Sequence, residues 1–274
     1  SVTSGTVSTQ GAKAIGIDIL IDQPQPEDGQ LLTTMKAMRT PTWLAYATRT
    51  TAGSEVEQWQ QDFMDRWFAQ LAGSRVKPTS VRFEPDTDNV LRRWPSLPSG
   101  LPTFMPIAVT GARPNLAYHG SIDFRLPENS ERLVFSSLPI DGFADPGLGP
   151  LLASQVKGRI VLIGGDLPDV DQFEVPATRM LANYPTMSGL EAHATMAAQL
   201  LDLRLPRQAG PVSLWALAIL VVLCGAFTAM LDVRPWVVAL VIVGQLAFFG
   251  FAPFYFEWTG LDTYGLPAFG WLGG

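Results

Sequence analysis

The sequence predicts an α/β protein with a largely parallel or mixed sheet flanked by helices, followed by a transmembrane helical region. Three observations carry this. Ala14–Leu20 and Arg159–Ile163 are short runs rich in Ile, Val and Leu, as buried strands are. Leu31, Leu32, Met35 and Met38 recur at helical spacing directly after the first run. Val212–Leu231 and Trp236–Phe256 contain no Asp, Glu, Lys or Arg, and each is about 20 residues, the length an α-helix needs to cross the roughly 30 Å hydrocarbon core of a bilayer.

In chain order, the first strand gives way to a Pro/Asp loop at Asp22–Asp28, and the helix after it is stopped by Pro41. Thr42–Thr48 reads as a second strand, so that strand, helix and strand form a βαβ unit with parallel strands. Ser54 and Glu57 make a capping-box pattern before an amphipathic helix carrying Val56, Trp59, Phe63, Trp67 and Leu71 and ending at Gly73. This aromatic stripe is expected to face the core, as most such stripes do. The Pro-, Ser- and Gly-rich stretch from Pro78 to Pro114 is the least legible, with Val90–Trp94 and Met105–Val109 as candidate short strands. Ser121–Leu126 and Arg132–Leu138 are read as further strands, Leu148–Val156 as a helix. Ser188 with Glu191 caps a last helix that turns Leu190, Ala194, Ala197 and Leu201 inward and breaks at Pro206.

The division expected is a globular domain over 1–207 and membrane helices over 208–274, with spans at 211–231 and 236–256 and the start of a third at 265. Trp215, Trp236, Tyr255, Trp258 and Tyr264 lie near the run ends, where amphipathic rings prefer the headgroup level. Asp232, Val233, Arg234 and Pro235 form the tight turn between the spans, and Arg234 favours a cytoplasmic turn. The chain begins without Met and ends within an apolar segment, so it reads as an excerpt of a longer protein.

Charge and cysteine usage narrow the function. The formal net charge is −6, of which Asp232, Arg234, Glu257 and Asp262 account for −2, leaving −4 on the globular part. Nucleic acid is therefore not an expected partner, since phosphate binding needs a basic surface. The one cysteine, Cys224, lies in the first apolar run, so the globular part has no disulfide, Cys-based zinc site or cysteine nucleophile. No Gly-rich phosphate loop and no Gly-x-Ser-x-Gly elbow occurs, and no cofactor is expected. Gly165-Asp166-Leu-Pro-Asp169 imitates the Gly-Asp-x-x-Asp element of binuclear metallophosphoesterases, but only His119 and His193 are present to complete a metal set. Glu191 and His193 are two apart on a helix and face different sides. His193 is read as a half-buried histidine with its hydrogen bonds satisfied.

Gly11-Ala-Lys-Ala-Ile-Gly-Ile-Asp-Ile-Leu20 with Asp22-Gln-Pro24, Val156-Lys-Gly-Arg-Ile-Val-Leu-Ile-Gly164, Asp171-Gln-Phe-Glu-Val-Pro176 and Met187-Ser-Gly-Leu-Glu-Ala-His193-Ala occur in the order and spacing of the second type of CHASE domain, cyclases/histidine kinases associated sensory extracellular. The chain resembles that family over about Gly11 to Arg207, and the spans that follow fit it too. It departs in the acidic run Asp166, Asp169 and Asp171, where the family loop is usually rich in Gly and Ala. The resemblance implies an extracytoplasmic sensor in a bacterial plasma membrane, multi-pass, with residues 1–207 outside the cytoplasm. Its output, a nucleotide cyclase or a histidine kinase, would lie on polypeptide not present here, and no catalysis is expected from this segment.

Two expectations concern partners. Gly225 and Ala229, at small-xxx-small spacing, fit close approach of a second copy and hence a homodimer. Ligands of open α/β sheets bind beyond the carboxyl ends of the strands, which points to Asp22 and Gln23 after the first strand and to Asp166, Asp169 and Asp171 after the Arg159–Ile163 strand. Three acids there fit a cation or a positively charged extracytoplasmic ligand. The competing classes are a membrane-tethered hydrolase of metallophosphoesterase type and a membrane-anchored interaction module.

Overall fold

A computed structural model of the chain describes residues 7–8, 10–49, 56–97, 100–112, 118–125, 134–145, 147–165, 171–180, 186–205, 207–208, 234–258 and 261–262, with scattered helical positions between 212 and 227. The chain divides into two compact units, Ser1–Arg204 and Leu205–Gly274.

The first unit is built on a parallel sheet of β1 (Ala14–Asp18), β2 (Thr42–Tyr46), β3 (Val76–Ser80) and β4 (Ile160–Gly164), in the order β3-β2-β1-β4. Helix α1 (Asp28–Ala37) connects β1 to β2, and α2 (Gln58–Gln70) connects β2 to β3. Because side chains alternate across a strand, the sheet sorts its residues onto two faces. Ile15, Ile17, Leu44, Val76 and Ile163 join Leu32 and Met35 of α1, Trp67 and, after α2, Leu71, and Val156 of α4 (Gly149–Val156) in one core cluster. Ala14, Trp43, Ile160 and Leu162 join Met105 and Val109 of α3 (Met105–Thr110) and Ala197 of α6 (Gly189–Leu201) in another. Gly16 lets these layers approach: a Cβ there would sit 2.7 Å from Leu162 Cδ2 and 3.0 Å from Met105 Sδ. The α/β architecture with a largely parallel sheet flanked by helices is thus as the sequence predicts.

Several local expectations are corrected. Met105–Val109 is helix rather than strand, since Pro106 within its first turn has no N–H for a ladder and a φ suited to helix entry. Helix α2 begins at Gln58, and its capping box is Glu57 with Gln60, Glu57 N donating to Gln60 Oε1 at 2.8 Å; Ser54 lies outside the described residues. Val90–Trp94 forms no strand, only single bridges, Val90 to Glu174 and Arg93 to Ser121. Ser121 is bridged likewise, residues 122–125 carry no strand, Val134–Leu138 is irregular, and Leu126, Arg132 and Leu133 lie outside the described residues. In α6, Leu201 is 55% exposed whereas His193, Thr195 and Gln199 are buried. The helix packs on α3 as well as the sheet, and the wider buried arc takes in polar positions that an apolar-only pattern leaves out.

A short antiparallel pair, β5 (Gln172–Phe173) with β6 (Met187–Ser188), ties the segment after β4 to the start of α6. The short helix α5 (Pro176–Met180) lies between them. At the other end of α6 a Schellman-type closure is present, with Leu203 N donating to Leu200 O and Arg204 N to Gln199 O.

In the second unit, β7 (Arg207–Gln208) pairs parallel with β8 (Leu261–Asp262), and α7 spans Pro235–Trp258, 24 residues. Among the described residues, no helix is long and apolar enough to cross a membrane. The spans at 211–231 and 236–256 therefore rest on sequence, and the third, from 265, lies outside the described residues.

Candidate functional site

Strand β1 places Asp18 at its carboxyl end, and by the alternation that turns Ala14 and Gly16 toward α3 and α6, Asp18 faces the same side. Its sheet neighbour is Gly164 of β4, whose missing side chain leaves room beside it: a Cβ at Gly164 would lie 3.4 Å from Asp18 Cβ. The strand order reverses between β1 and β4, the place where open parallel sheets form a crevice. From α6, His193 Nε2 comes within 3.7 Å of Asp18 Oδ2, with side-chain exposures of 0% and 13%. Neither ring nitrogen of His193 has a hydrogen-bond partner among the described residues. Asp171, held in the left-handed region at φ 61°, is the third member, and a Cβ at Gly189 would collide with its carboxylate.

Burial decides the charge of this cluster. Desolvation, and then the neighbouring Asp171 charge, push Asp18 up to about 7. Desolvation also raises Asp171, against a lowering hydrogen bond from the Gly189 backbone. Desolvation depresses His193 to about 3 and so keeps it neutral at physiological pH, only partly offset by the Val81 backbone. An ion pair would move the two the other way, His193 up and Asp18 down. The 3.7 Å approach is therefore a contact of a neutral imidazole with a carboxyl poised near neutrality, and not a salt bridge.

His193 is enclosed by aromatic rings. Phe83 lies 4.4 Å from it at 31° and Phe104 5.2 Å at 59°, while Phe83 meets Phe173 edge-on at 4.9 Å. Phe83 is also a wall of a cavity of about 910 Å³ beyond the carboxyl ends of β2 and β3. Tyr46, Trp94, Arg82 and Arg93 share that lining with Glu84 and Asp86. Tyr46 donates to Asp65 Oδ1 at 2.7 Å, and burial followed by that bond pushes its phenol up to about 12. Glu84 Oε2 accepts from Ser96 N at 2.9 Å and Ser96 Oγ at 2.6 Å, and Oε1 faces Arg82 at 3.0 Å. Asp86 accepts from Arg92 at 3.0 Å and Arg93 at 3.3 Å. Trp94 Nε1 donates to Gln199 Oε1 on α6 at 2.9 Å.

Of the residues singled out from sequence, Asp171 joins this site. Asp22 is engaged by α2, accepting from Gln60 Nε2 at 2.6 Å, and Gln23 is exposed in a bend. Asp166 and Asp169 lie outside the described residues. Among the described residues no group of three or more His, Cys, Asp or Glu could hold a metal ion. Sequence reasoning missed Asp18 as a site residue, although an acid inside an apolar strand was the available signal. The expectation for His193 is corrected: it is fully buried, and its ring nitrogens make no well-formed hydrogen bond among the described residues, the Val81 backbone being near enough only to offset part of the burial. The cavity lies in the Pro-rich stretch that periodicity could not read.

The CHASE2 domain family matches residues 5–231, most of the chain, and the chain belongs to that family. CHASE2 domains are sensory extracellular domains, not catalytic ones. No curated protein and no solved structure matches the chain.

Proposed function

We propose that this chain is the extracytoplasmic sensory module of a multi-pass bacterial plasma-membrane receptor, with residues 1–207 outside the cytoplasm. Its output domain, a nucleotide cyclase or histidine kinase, is carried on polypeptide outside this chain. Family membership over residues 5–231 is the observation that carries the reading, because the match runs from the globular unit into the first apolar run. Two features of the second unit support membrane residence. Leu240, Ile242, Val243, Leu246 and Phe251 of α7 are all at least half exposed and spread over about half of the helix surface, an apolar face of the kind that lipid covers. The β7–β8 pairing sets residues just before the first run beside residues just after the second, as a helical hairpin that crosses twice requires. Gly225 and Ala229 favour a homodimer through the first run.

Reporter fusions test the topology. A periplasm-active reporter inserted at His119 is expected to be active and one at Arg234 silent. The reverse pattern overturns the sensory reading.

A further inference from the structure

We propose that Ser121–Arg125 is a strap that carries movement of the cavity wall to the end of α6, which it grips through two opposed ion pairs, Asp123 with Arg204 and Arg125 with Asp202. The proposal rests on the sensory reading and gives it a route from the cavity to Arg204, the last residue of the first unit.

The strap is tied to the cavity wall through backbone. Ile122 N donates to Arg92 O at 2.8 Å, Trp94 N donates to Gly120 O at 2.9 Å, and Arg93 bridges to Ser121. Arg93 and Trp94 line the cavity. Ile122 is 6% exposed, so burial as well as hydrogen bonding holds the strap at this end. At the other end Asp123 and Arg125, two positions apart, both reach the end of α6, as alternate residues of an extended segment can. Asp123 Oδ2 meets Arg204 Nη1 at 3.3 Å, and Arg125 pairs with Asp202. Gln199 Nε2 joins the two sides, donating to the Ser121 carbonyl at 3.1 Å and to the Arg204 carbonyl at 2.9 Å.

The order of the charges fixes the register. Asp123 and Arg125 run in the opposite direction to Asp202 and Arg204, so each acid meets a base. A slip of two residues one way sets Asp123 against Asp202, and the other way sets Arg125 against Arg204. Like charges placed opposite one another repel. All four side chains are at least a third exposed, and exposed ion pairs contribute little to stability. Their effect is therefore on position: the strap holds the end of α6 in one seating or releases it. What it holds is the closure itself, since Asp202 is the C-cap, Leu203 is left-handed at φ 56° and Arg204 N donates to Gln199 O at 3.0 Å. A strap displaced with the wall moves both neighbours of Leu203 together.

Hydrogen exchange on the full 274-residue chain in nanodiscs tests the grip, read as protection of the Leu203 and Arg204 amides with Leu44 of β2 as the reference. Asp123→Arg should lower that protection by about two- to fivefold at low salt, the range of one exposed ion pair. Adding Arg204→Asp, which exchanges the two charges, should restore most of the loss. Both effects should fade near about 1 M salt, where the screening length falls to about 3 Å. Unchanged protection in Asp123→Arg, or a double variant no better protected than the single one, overturns the grip. Ile122→Ala, which loosens the strap at the wall, tests the transmission. It should lower protection of the same two amides in the wild-type background, and do so less in Asp123→Arg with Arg125→Asp, where both pairs are already broken. An equal effect in the two backgrounds overturns the transmission. Failure of either test leaves the topology standing or falling on the reporter fusions, which do not involve the strap.

Discussion

His193 Nε2 stands 3.7 Å from Asp18 Oδ2, and burial drives both groups toward their neutral forms. The two carry opposite pH dependence. Asp18 sits at about 7 in the fold against an ordinary 3.8, so its contribution to stability is fully present below about 3.8 and is lost as pH rises through about 7. His193 sits at about 3 against 6.5, so its contribution is fully present above about 6.5 and is lost as pH falls through about 3. Asp171, also raised, adds to the Asp18 trend.

Asp18→Asn separates these effects. The variant should exceed wild type in stability at pH 8 by on the order of 2–4 kcal/mol, since the buried charge is gone. At pH 4, where Asp18 is largely protonated in the unfolded chain as well as in the folded one, the two should lie within about 1 kcal/mol. Below about pH 6.5 the variant should lose stability steadily, since the unfolded chain protonates His193 and the fold does not. Chemical denaturation across pH 4–8 measures this, and parallel curves for the two proteins would contradict it.

Gly16 is required by the approach of the sheet to α3. Its replacement by Ala puts a Cβ 2.7 Å from Leu162 Cδ2, 3.0 Å from Met105 Sδ and 3.1 Å from Val109 Cγ1. Destabilisation of about 1–3 kcal/mol is expected from overpacking, and Gly16→Val should exceed it. Thermal melting of the two variants would show the order.

Gln199→Leu removes three hydrogen bonds in a buried setting and leaves Trp94 Nε1 and the Ser121 and Arg204 carbonyls without that partner. A loss of roughly 2–4 kcal/mol is expected, with amide exchange at Leu203–Arg204 accelerating more than in β1. Uniform acceleration would show that the network does not act locally.

Leu203 occupies the left-handed position of the α6 closure at φ 56° and is 85% exposed. Leu203→Gly relieves a conformation that side chains resist and gives up little packing. Stabilisation of about 0.5–1 kcal/mol is expected by denaturant titration, and a loss would indicate that the exposed side chain is covered in the membrane-bound protein.

The sequence by itself determined β1, β2 and β4 with the helices α1, α2, α4 and α6 in their order, though not β3 (Val76–Ser80) or the helical state of α3, and it determined the N-cap at Ser188, whose Oγ accepts from Glu191 N at 3.2 Å, and the family. These rest on local signals: periodicity, capping chemistry and short motifs in order. It named Asp171 among the acids beyond the carboxyl edge of the sheet, and the structure brings that residue beside Asp18. It could not join Asp18 to His193, 175 positions apart in the chain, because their contact depends on which face β1 turns to α6. Nor could it reveal the cavity. Between β3 and α3, the described residues from 81 to 104 are held by single bridges and by Trp94–Gln199, and isolated long-range pairings leave no period in a sequence. Only the packing of α6 across the sheet decided that its histidine and its glutamine would be buried, each beside an aromatic ring of the cavity wall.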